Sequence, residues 1–406
     1  MSGRGFAVRA AGLALAAAWV CLQPAAALDP NHALTQFTHR VWQNQQGTPF
    51  GVIEGVWQTR DGYLWLGTQT GLYRFDGVEF RTGESLFPRL PANIWIQGPA
   101  FEDQQGEQWI PTNDRGVLRV SKTGVAQFDT RNGLPSNLAQ CVVGGAEGQI
   151  WICTDRGLAR IDVKRGQKET VRVFGPDAAQ GATDVRAACM APDGSLWSGG
   201  DSARLTRWSG TAFESYQLAS ASADTSVFAL LCGADAVWAG TNAGLIRVDT
   251  SGASRADRLF TTKDGLVDNH VYALAQGGQG TLWIGTRNGF SRFRAREFDN
   301  FRPEDGLSQS TAFAVFEDRE GWLWVGTKQG LNQFVDPRAL PFTEREGLPS
   351  NNAGPLWRDR QGIVWVGSLD KGLASYDGHK FSVLNAARGL ASDSVLALGE
   401  DASGAL

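Results

Sequence analysis

The chain has 406 residues, a formal net charge of −4, 50 glycines and 15 tryptophans. A weakly acidic chain without a clustered basic face is not typical of nucleic-acid binding, so we expect no nucleic-acid partner in this region. The glycine share exceeds the usual value of about 7%, as expected for a globular protein with many tight turns. After residue 27, no apolar run is long enough to span a bilayer.

The first 27 residues predict a secretory signal peptide. Arg4 and Arg9 form a basic start, residues 11–22 form an apolar run, and the alanines at 25–27 offer a cleavage site. The alternative is an uncleaved anchor, which the shortness of the apolar run disfavours. We therefore expect an exported, periplasmic protein whose folded part begins at residue 28.

Four cysteines follow the leader, and none of their spacings forms a C-x-x-C metal or redox pair. An exported chain permits disulfides, but each of these cysteines lies in or beside a predicted strand. The favoured interpretation is buried free thiols, or at most one bridge. The four residues are Cys141, Cys153, Cys189 and Cys232.

One short sequence motif, called the phrase below, recurs eight times, and each copy is centred on a tryptophan. The gaps between successive tryptophans run from 41 to 46 residues. A phrase that recurs at such a period marks one supersecondary unit used many times. The fullest copy spans residues 61–77, and the tryptophans are Trp65, Trp109, Trp151, Trp197, Trp238, Trp283, Trp324 and Trp365.

Each repeat divides into four short strands, with its tryptophan on the second. Apolar alternation and glycine-bearing turns predict antiparallel hairpins, and four-stranded units of about 43 residues arranged radially form a β-propeller. We therefore predict an all-β protein, a β-propeller of four-stranded antiparallel blades. The repeat tryptophans are expected to be structural, each packing its blade against a neighbour.

The N-terminal segment 34–42 resembles a fourth strand, so we expect it to complete the blade of Trp324. Pro337 and Pro341 then interrupt the ladder, which predicts that the first propeller ends after seven blades. The predicted domains are a signal peptide at 1–27, a seven-bladed β-propeller at 28–337, and the start of a second, truncated propeller at 338–406. The alternative is a single eight-bladed ring. The chain stops within a ninth copy of the phrase, so we expect a fragment of a longer protein.

The phrase at residues 64–77, together with the recurrent Gly-Leu-Pro-Ser-Asn loops, resembles the two-component regulator propeller repeat. The resemblance covers nearly all of residues 28–406. It implies paired seven-bladed propellers in the periplasm, belonging to a sensor that is anchored in the inner membrane and could form a homodimer. It also implies a histidine kinase or diguanylate cyclase output beyond this chain, and it supplies no catalytic residues.

The sequence contains no recognisable catalytic or metal-binding motif. Its four histidines are scattered, and it has neither a Gly-x-Ser-x-Gly elbow nor a phosphate-binding loop. We therefore expect this chain to have no enzyme activity, no metal and no cofactor. The acid pairs 102–103 and 317–318 recur in phase before a turn, so they are expected to cap that turn rather than to serve catalysis or bind Ca²⁺.

Two sets of loops are expected on one face of the propeller, namely the turn after each second strand and the loop before each first strand. Basic residues in those turns could attract an anionic ligand such as an acidic sugar, and nearby polar and aromatic side chains could contact it. The alternative is a set of solvated turn residues. The candidate ligand-binding residues are Arg115, Arg156, Arg287, Lys328, Lys371, Asn269, His270, Trp95 and Asn351.

The sequence therefore predicts the extracytoplasmic ligand-sensing region of a membrane-bound signal-transduction protein, of the two-component sensor histidine kinase type. Its expected ligand is a small molecule or an oligosaccharide, with an anionic one among the options. The alternatives are the sensor region of a diguanylate cyclase, an exported propeller lyase or glycosidase, and a protein-interaction scaffold.

Overall fold

The computed structural model describes residues 28–29, 32–43, 51–163, 168–175, 184–250, 257–337, 342–378, 380–401 and 403–406. The predicted signal peptide at 1–27 lies outside these residues. The described residues form eight four-stranded antiparallel sheets, and the predicted β-propeller fold is confirmed. Within these ranges, no helix has the length and apolarity needed to cross a membrane.

The strands follow one another along the chain with short connections. The first seventeen are β1 (Thr38–Gln43), β2 (Ile53–Gln58), β3 (Leu64–Thr68), β4 (Leu72–Phe75), β5 (Phe80–Thr82), β6 (Phe101–Glu102), β7 (Gln108–Pro111), β8 (Val117–Ser121), β9 (Gly124–Phe128), β10 (Ala139–Gly144), β11 (Gln149–Thr154), β12 (Gly157–Asp162), β13 (Thr170–Phe174), β14 (Val185–Met190), β15 (Leu196–Gly200), β16 (Arg204–Trp208) and β17 (Phe213–Gln217). The others are β18 (Val227–Cys232), β19 (Ala236–Thr241), β20 (Leu245–Asp249), β21 (Asp257–Phe260), β22 (Val271–Gln276), β23 (Leu282–Thr286), β24 (Gly289–Arg294), β25 (Glu297–Phe301), β26 (Ala312–Glu317), β27 (Leu323–Thr327), β28 (Gly330–Val335), β29 (Ala353–Arg358), β30 (Val364–Ser368), β31 (Leu373–Tyr376) and β32 (Phe381–Leu384). The helical elements are the short α1 (Gly83–Leu86) and 3₁₀ turns at Leu34–Gln36, Thr130–Asn132, Ala146–Gly148, Thr262–Asp264, Gly278–Gly280, Pro303–Asp305, Glu344–Glu346 and Ala386–Arg388.

Seven of the sheets form the blades of a ring. Blades 1 to 6 take four strands each in chain order, from β2–β5 in blade 1 to β22–β25 in blade 6. Blade 7 consists of β26, β27, β28 and the N-terminal strand β1, which runs antiparallel to β28 with Thr38 opposite Val335. The first strand of each blade contacts the first strand or the tryptophan strand of its neighbour, and β2 of blade 1 contacts β26 and β27 of blade 7.

The eighth sheet, β29–β32, follows blade 7 in the chain and has a small core around Leu348, Val366 and Ala374. An ion pair of 2.8 Å joins Arg345, before this sheet, to Asp305 of the ring. The predicted domain boundary at residue 337 adjoins residues 338–341, which lie outside the described residues. The division into two propellers therefore stays a prediction.

The repeat tryptophans lie at the seams between blades. Trp109 is fully buried and clusters with Val142, Ile150 and Ile152 of blade 3. The same arrangement, with the indole against the next blade of the ring, holds for Trp65, Trp151, Trp197, Trp238, Trp283 and Trp324. Trp365 belongs to the eighth sheet and is half-buried. The hydrophobic core is thus divided into seams, and each indole fills one of them.

The aspartates of the acid pairs cap turns and also hold the indoles. Asp103 Oδ1 accepts hydrogen bonds from the backbone N–H groups of Gln105 and Glu107, and Oδ2 accepts one of 2.9 Å from Trp109 Nε1. Asp318 makes the same kind of contact with Trp324 Nε1, at 2.6 Å. The expected turn-capping role is therefore observed, and the bond to the indole is an additional function that the sequence pattern did not reveal.

The glutamates of the same pairs reach back to the preceding blade. Glu317 accepts hydrogen bonds from Gly278 N at 2.8 Å and from Trp283 Nε1 at 2.7 Å, both in blade 6. Glu102 accepts a 2.8 Å bond from Arg60 N of blade 1. One carboxylate of each pair thus orders its own turn, while the other joins two blades.

The interpretation of the cysteines as free thiols, or at most one bridge, is wrong. Cys141 lies opposite Cys153 in the β10–β11 register, and these two residues form a disulfide within blade 3. Cys189 and Cys232 form a second disulfide, which joins the first strands of blades 4 and 5. The sequence spacing does not reveal either pair, because one depends on strand register and the other on the packing of two neighbouring blades.

Asp318 is expected to make stability depend on pH. Burial raises its pKa to about 6 from an ordinary value of 3.8, against the hydrogen bonds from Trp324 and Trp322 that favour the carboxylate. Because the folded pKa exceeds the unfolded one, the contribution to stability is complete below about pH 3.8 and is lost as pH rises through about 6. The loss should be on the order of 2–3 kcal/mol.

The carboxyl ¹³C chemical shift of Asp318, followed as a function of pH, measures the pKa of this group in the folded protein. Its midpoint is expected near pH 6. Asp359 takes the same turn position in the eighth sheet, and the indole bond from Trp365 holds its pKa below the ordinary value. Asp359 therefore serves as the internal control. Equal midpoints for the two carboxyls would contradict the prediction.

Candidate functional site

The first strand of most blades is interrupted at one position near its start. In six of the seven blades, its register against the second strand shifts by one residue there. Such a bulge leaves one residue out of the ladder and changes the direction of its side chain. Blade 2 has an isolated bridge, Ile96 to Thr112, in the corresponding place. The bulged residues are Glu54, Gln140, Arg186, Phe228, Tyr272 and Phe313.

These residues converge on one cavity. Together with Gln97 of blade 2 they contribute to the lining of a space of about 300 Å³, which is bordered by the first strands of six blades and by residues 97–99 of blade 2. That size lies at the lower end of the range for small-molecule sites. All seven side chains are half-buried. We call Glu54, Gln97, Gln140, Arg186, Phe228, Tyr272 and Phe313 the bulge ring.

Blades 1 to 4 contribute a polar arc to the bulge ring. Gln69 Nε2 donates to Glu54 Oε1 at 2.8 Å, and Gln97 donates to Asn113 at 2.6 Å. Burial raises the pKa of the Glu54 carboxyl, while hydrogen bonds from Gln69 and Trp95 act in the opposite direction. This arc therefore offers fixed donors and acceptors in a partly dehydrated setting, where hydrogen bonds are stronger than in water.

Asp184 orders the other half of the polar arc. It accepts hydrogen bonds from Gln140 and from Arg186 Nη2, the latter at 2.7 Å. The Arg186 guanidinium is thereby neutralised locally, and its Cζ lies 5.6 Å from the centre of the Phe228 ring. Arg186 thus connects the polar arc to the aromatic side of the cavity.

Blades 5 to 7 contribute an aromatic arc. The ring centres of Phe228 and Tyr272 are 5.6 Å apart, and those of Tyr272 and Phe313 are 5.5 Å apart. Both pairs are tilted by 35–38°, within the range of favourable aromatic contacts. The three rings form a continuous apolar wall opposite the amides and carboxylate of blades 1 to 3.

The five predicted basic residues occupy different positions in their turns. Gln69 follows Thr68 at the end of β3, Asn113 follows the equivalent Thr112 just after β7, and both side chains reach the bulge ring. Arg287 and Lys328 stand at that same position in blades 6 and 7, whereas Arg115 and Arg156 come later in their turns. Lys371 belongs to the eighth sheet and contacts Glu344 at 3.3 Å. The structure thus ties one of the five, Arg287, by its backbone to His270, two residues before Tyr272. Lys328 takes the equivalent turn position in blade 7, and neither residue lines the cavity itself.

Among the other predicted residues, His270 and Trp95 lie beside the bulge ring. His270 O accepts a 3.0 Å hydrogen bond from Arg287 N, and Trp95 O accepts one of 2.9 Å from Asn113 N. These bonds also show that the turns after the second strands and the loops before the first strands lie on the same face of the propeller. Asn269 and Asn351 instead order their own loops, because each side-chain oxygen accepts a 2.9 Å bond from a backbone N–H seven residues earlier. Ligand binding by the predicted residues stays a prediction.

Sequence reasoning missed the bulge ring itself. A signal was present, since five of its members stand 11 residues before a repeat tryptophan. These positions differ in chemistry from blade to blade, while the flanking residues stay small or apolar. The five are Glu54, Gln140, Arg186, Tyr272 and Phe313.

Two segments of the chain, residues 265–288 and 306–329, match the family model described as two component regulator propeller. These two segments are two-component regulator propeller repeats. The matched repeats belong to blades 6 and 7 and include Tyr272 with Arg287, and Phe313 with Lys328. No curated protein matches the sequence.

Solved structures with a similar fold include the extracellular domains of two putative hybrid two component systems from B. thetaiotaomicron. Both are 20% identical to this chain, with TM-scores of 0.70 and 0.61. The matches cover 91% of this chain but 51% and 50% of those domains, so the chain spans about half their length. Virginiamycin B lyase from Staphylococcus aureus is 14% identical, with a TM-score of 0.58 over 74% of this chain and 99% of the lyase. Identities at this level show a shared fold.

Proposed function

We propose that this chain is the extracytoplasmic ligand-sensing region of a membrane-bound signal-transduction protein, and that the bulge ring binds its ligand. The ligand is a small molecule or an oligosaccharide, and the chain itself is not catalytic. The output is a sensor histidine kinase, with a diguanylate cyclase as the alternative. Binding would change the placement of propellers or protomers in the longer protein, which passes that change across the inner membrane.

The observation that carries this proposal is the convergence of seven side chains, one from each blade, on one cavity. In six blades, a register shift at the same place takes the ring residue out of the strand ladder. Bulges that redirect side chains are frequent next to functional sites. The family match and the similar extracellular sensor domains support the signalling part of the proposal.

The periplasmic location is supported by the two disulfides in the described residues. Disulfides persist in oxidising compartments such as the periplasm and are rare in the bacterial cytosol. The predicted leader at residues 1–27 is consistent with the same location.

Replacing Tyr272 by Ala should lower ligand affinity at least tenfold, because it removes the central ring of the aromatic arc. A ligand is first selected by thermal shift of the purified chain against a panel of small molecules and oligosaccharides, and affinities are then measured by calorimetry. Trp322, an aromatic residue with 41% exposure in a turn of blade 7, provides the matched control, and Trp322→Ala should leave affinity unchanged. Equal affinities for the two variants would place the ligand elsewhere and overturn the assignment of the bulge ring.

A further inference from the structure

The two arcs of the bulge ring demand different chemistry from one ligand. The aromatic arc needs an apolar face that can lie against Phe228, Tyr272 and Phe313. The polar arc presents amide and carboxylate groups from Glu54, Gln97 and Gln140, which can exchange hydrogen bonds along an edge. A flat aromatic ligand satisfies the first arc but makes no use of the hydrogen-bonding capacity that the second retains beyond its bonds within the protein. A sugar ring satisfies both, since it combines an apolar C–H face with hydroxyls around its edge.

The spacing of the repeat assigns two basic turn residues to the aromatic side of the bulge ring. Arg287 follows Tyr272 by 15 residues, and Lys328 follows Phe313 by 15 residues. The same spacing separates Glu54 from Gln69, whose side chains are hydrogen-bonded, so it brings a turn residue to a ring residue. Both basic side chains are exposed, and neither has an ion-pair partner within the described ranges. The positive charge therefore remains available on this side of the cavity.

We propose that the bulge ring binds a sugar residue that carries a carboxylate, with its apolar face on Tyr272, its hydroxyls on the polar arc and its carboxylate at Arg287 and Lys328. This inference rests on the proposed ligand-sensing function and names the ligand class. Uncompensated cations at the mouth of a cleft raise the local concentration of anions. A carboxylate bound by Arg or Lys gains charge-assisted hydrogen bonds, which are roughly twice as strong as neutral ones.

The test uses pairs of oligosaccharides that differ in one group. Each acidic member ends in glucuronate or galacturonate, and its neutral partner is the carboxyl-reduced form of the same oligosaccharide. Calorimetry with the purified chain should show at least one acidic member binding at least tenfold more tightly than its partner. The preference should decline with added salt, because exposed charges are screened.

Substitutions then locate the carboxylate. The double variant Arg287→Gln with Lys328→Gln should bring the acidic member to the affinity of its neutral partner and leave the neutral one unchanged. Arg115→Gln with Arg156→Gln is the matched control, since it removes the same formal charge from residues that come later in their turns, and it should change either affinity less than twofold. Tyr272→Ala should weaken both members together.

The outcomes separate the two proposals. If neutral members bind as tightly as acidic ones and still require Tyr272, the ligand class is wrong and the sensing site stands. If no acidic member binds, the ligand class is likewise overturned. If binding of either member survives Tyr272→Ala unchanged, both the ligand class and the assignment of the bulge ring fail.

Discussion

Trp109→Ala should lower the free energy of unfolding by about 3–5 kcal/mol, the usual range for removing a large buried aromatic side chain. Trp109 has no exposed surface and fills the seam between blades 2 and 3. Its removal also takes one donor from the Asp103 carboxylate, which is only 5% exposed. A buried acceptor that loses its partner adds about 1–3 kcal/mol to the loss, unless water enters the cavity.

Urea denaturation followed by circular dichroism measures this effect. Trp109→Phe provides a graded comparison, since it keeps an aromatic ring in the seam but cannot donate to Asp103. It should therefore fall between the wild type and Trp109→Ala. Trp322→Ala removes an exposed indole from a turn and should change stability by less than about 0.5 kcal/mol. Similar losses for Trp109→Ala and Trp322→Ala would refute the interpretation of the repeat tryptophans as wedges between blades.

Sequence reasoning succeeded where one physical requirement is repeated. Every blade must bury one face of a second strand against the next blade, so the tryptophan and its flanking apolar residues recur at a regular period and predict the fold. The phrase around Trp65 and the phrase around Trp324 are recognisable as equivalents because the same packing constraint acts on both. The strand pairing of the N-terminal segment 38–43 with β28 follows from the same pattern.

The candidate site follows a different rule. A binding cavity needs side chains that differ from blade to blade. Glu54, Tyr272 and Phe313 therefore share no residue type, although they occupy the same position of the repeat. Their grouping depends on a register shift of one residue, which reverses the side of the strand on which a residue lies. Patterns of apolar alternation in the sequence do not determine strand register to within one residue. The basic turn residues are predicted from their charge and from their place one or two residues before the turn glycine, and this pattern does not separate Arg287 from Arg115.

The second disulfide should contribute more to stability than the first. A crosslink stabilises mainly by restricting the unfolded chain, and the effect grows with the length of the closed loop. Cys189 and Cys232 are 43 residues apart, which corresponds to about 4 kcal/mol, whereas Cys141 and Cys153 are 12 apart, which corresponds to about 3 kcal/mol. Replacing each pair by alanines and measuring urea unfolding tests this order. A larger loss for the Cys141–Cys153 pair would contradict it.

At the seam between blades 4 and 5, Cys232 takes the position that an acceptor for an interblade hydrogen bond occupies elsewhere in the ring. Cys232 stands opposite the residue before the repeat tryptophan, as Glu317 does in blade 7. Glu317 reaches the preceding blade through the N–H of Gly278, but the equivalent residue in blade 4 is Pro192, which has no N–H to donate. Cys232→Glu in a Cys189→Ala background should therefore fail to restore the stability lost with the disulfide. Adding Pro192→Gly, which supplies the missing donor, should recover part of it, and no gain from that third substitution would show that the disulfide does not replace this hydrogen bond.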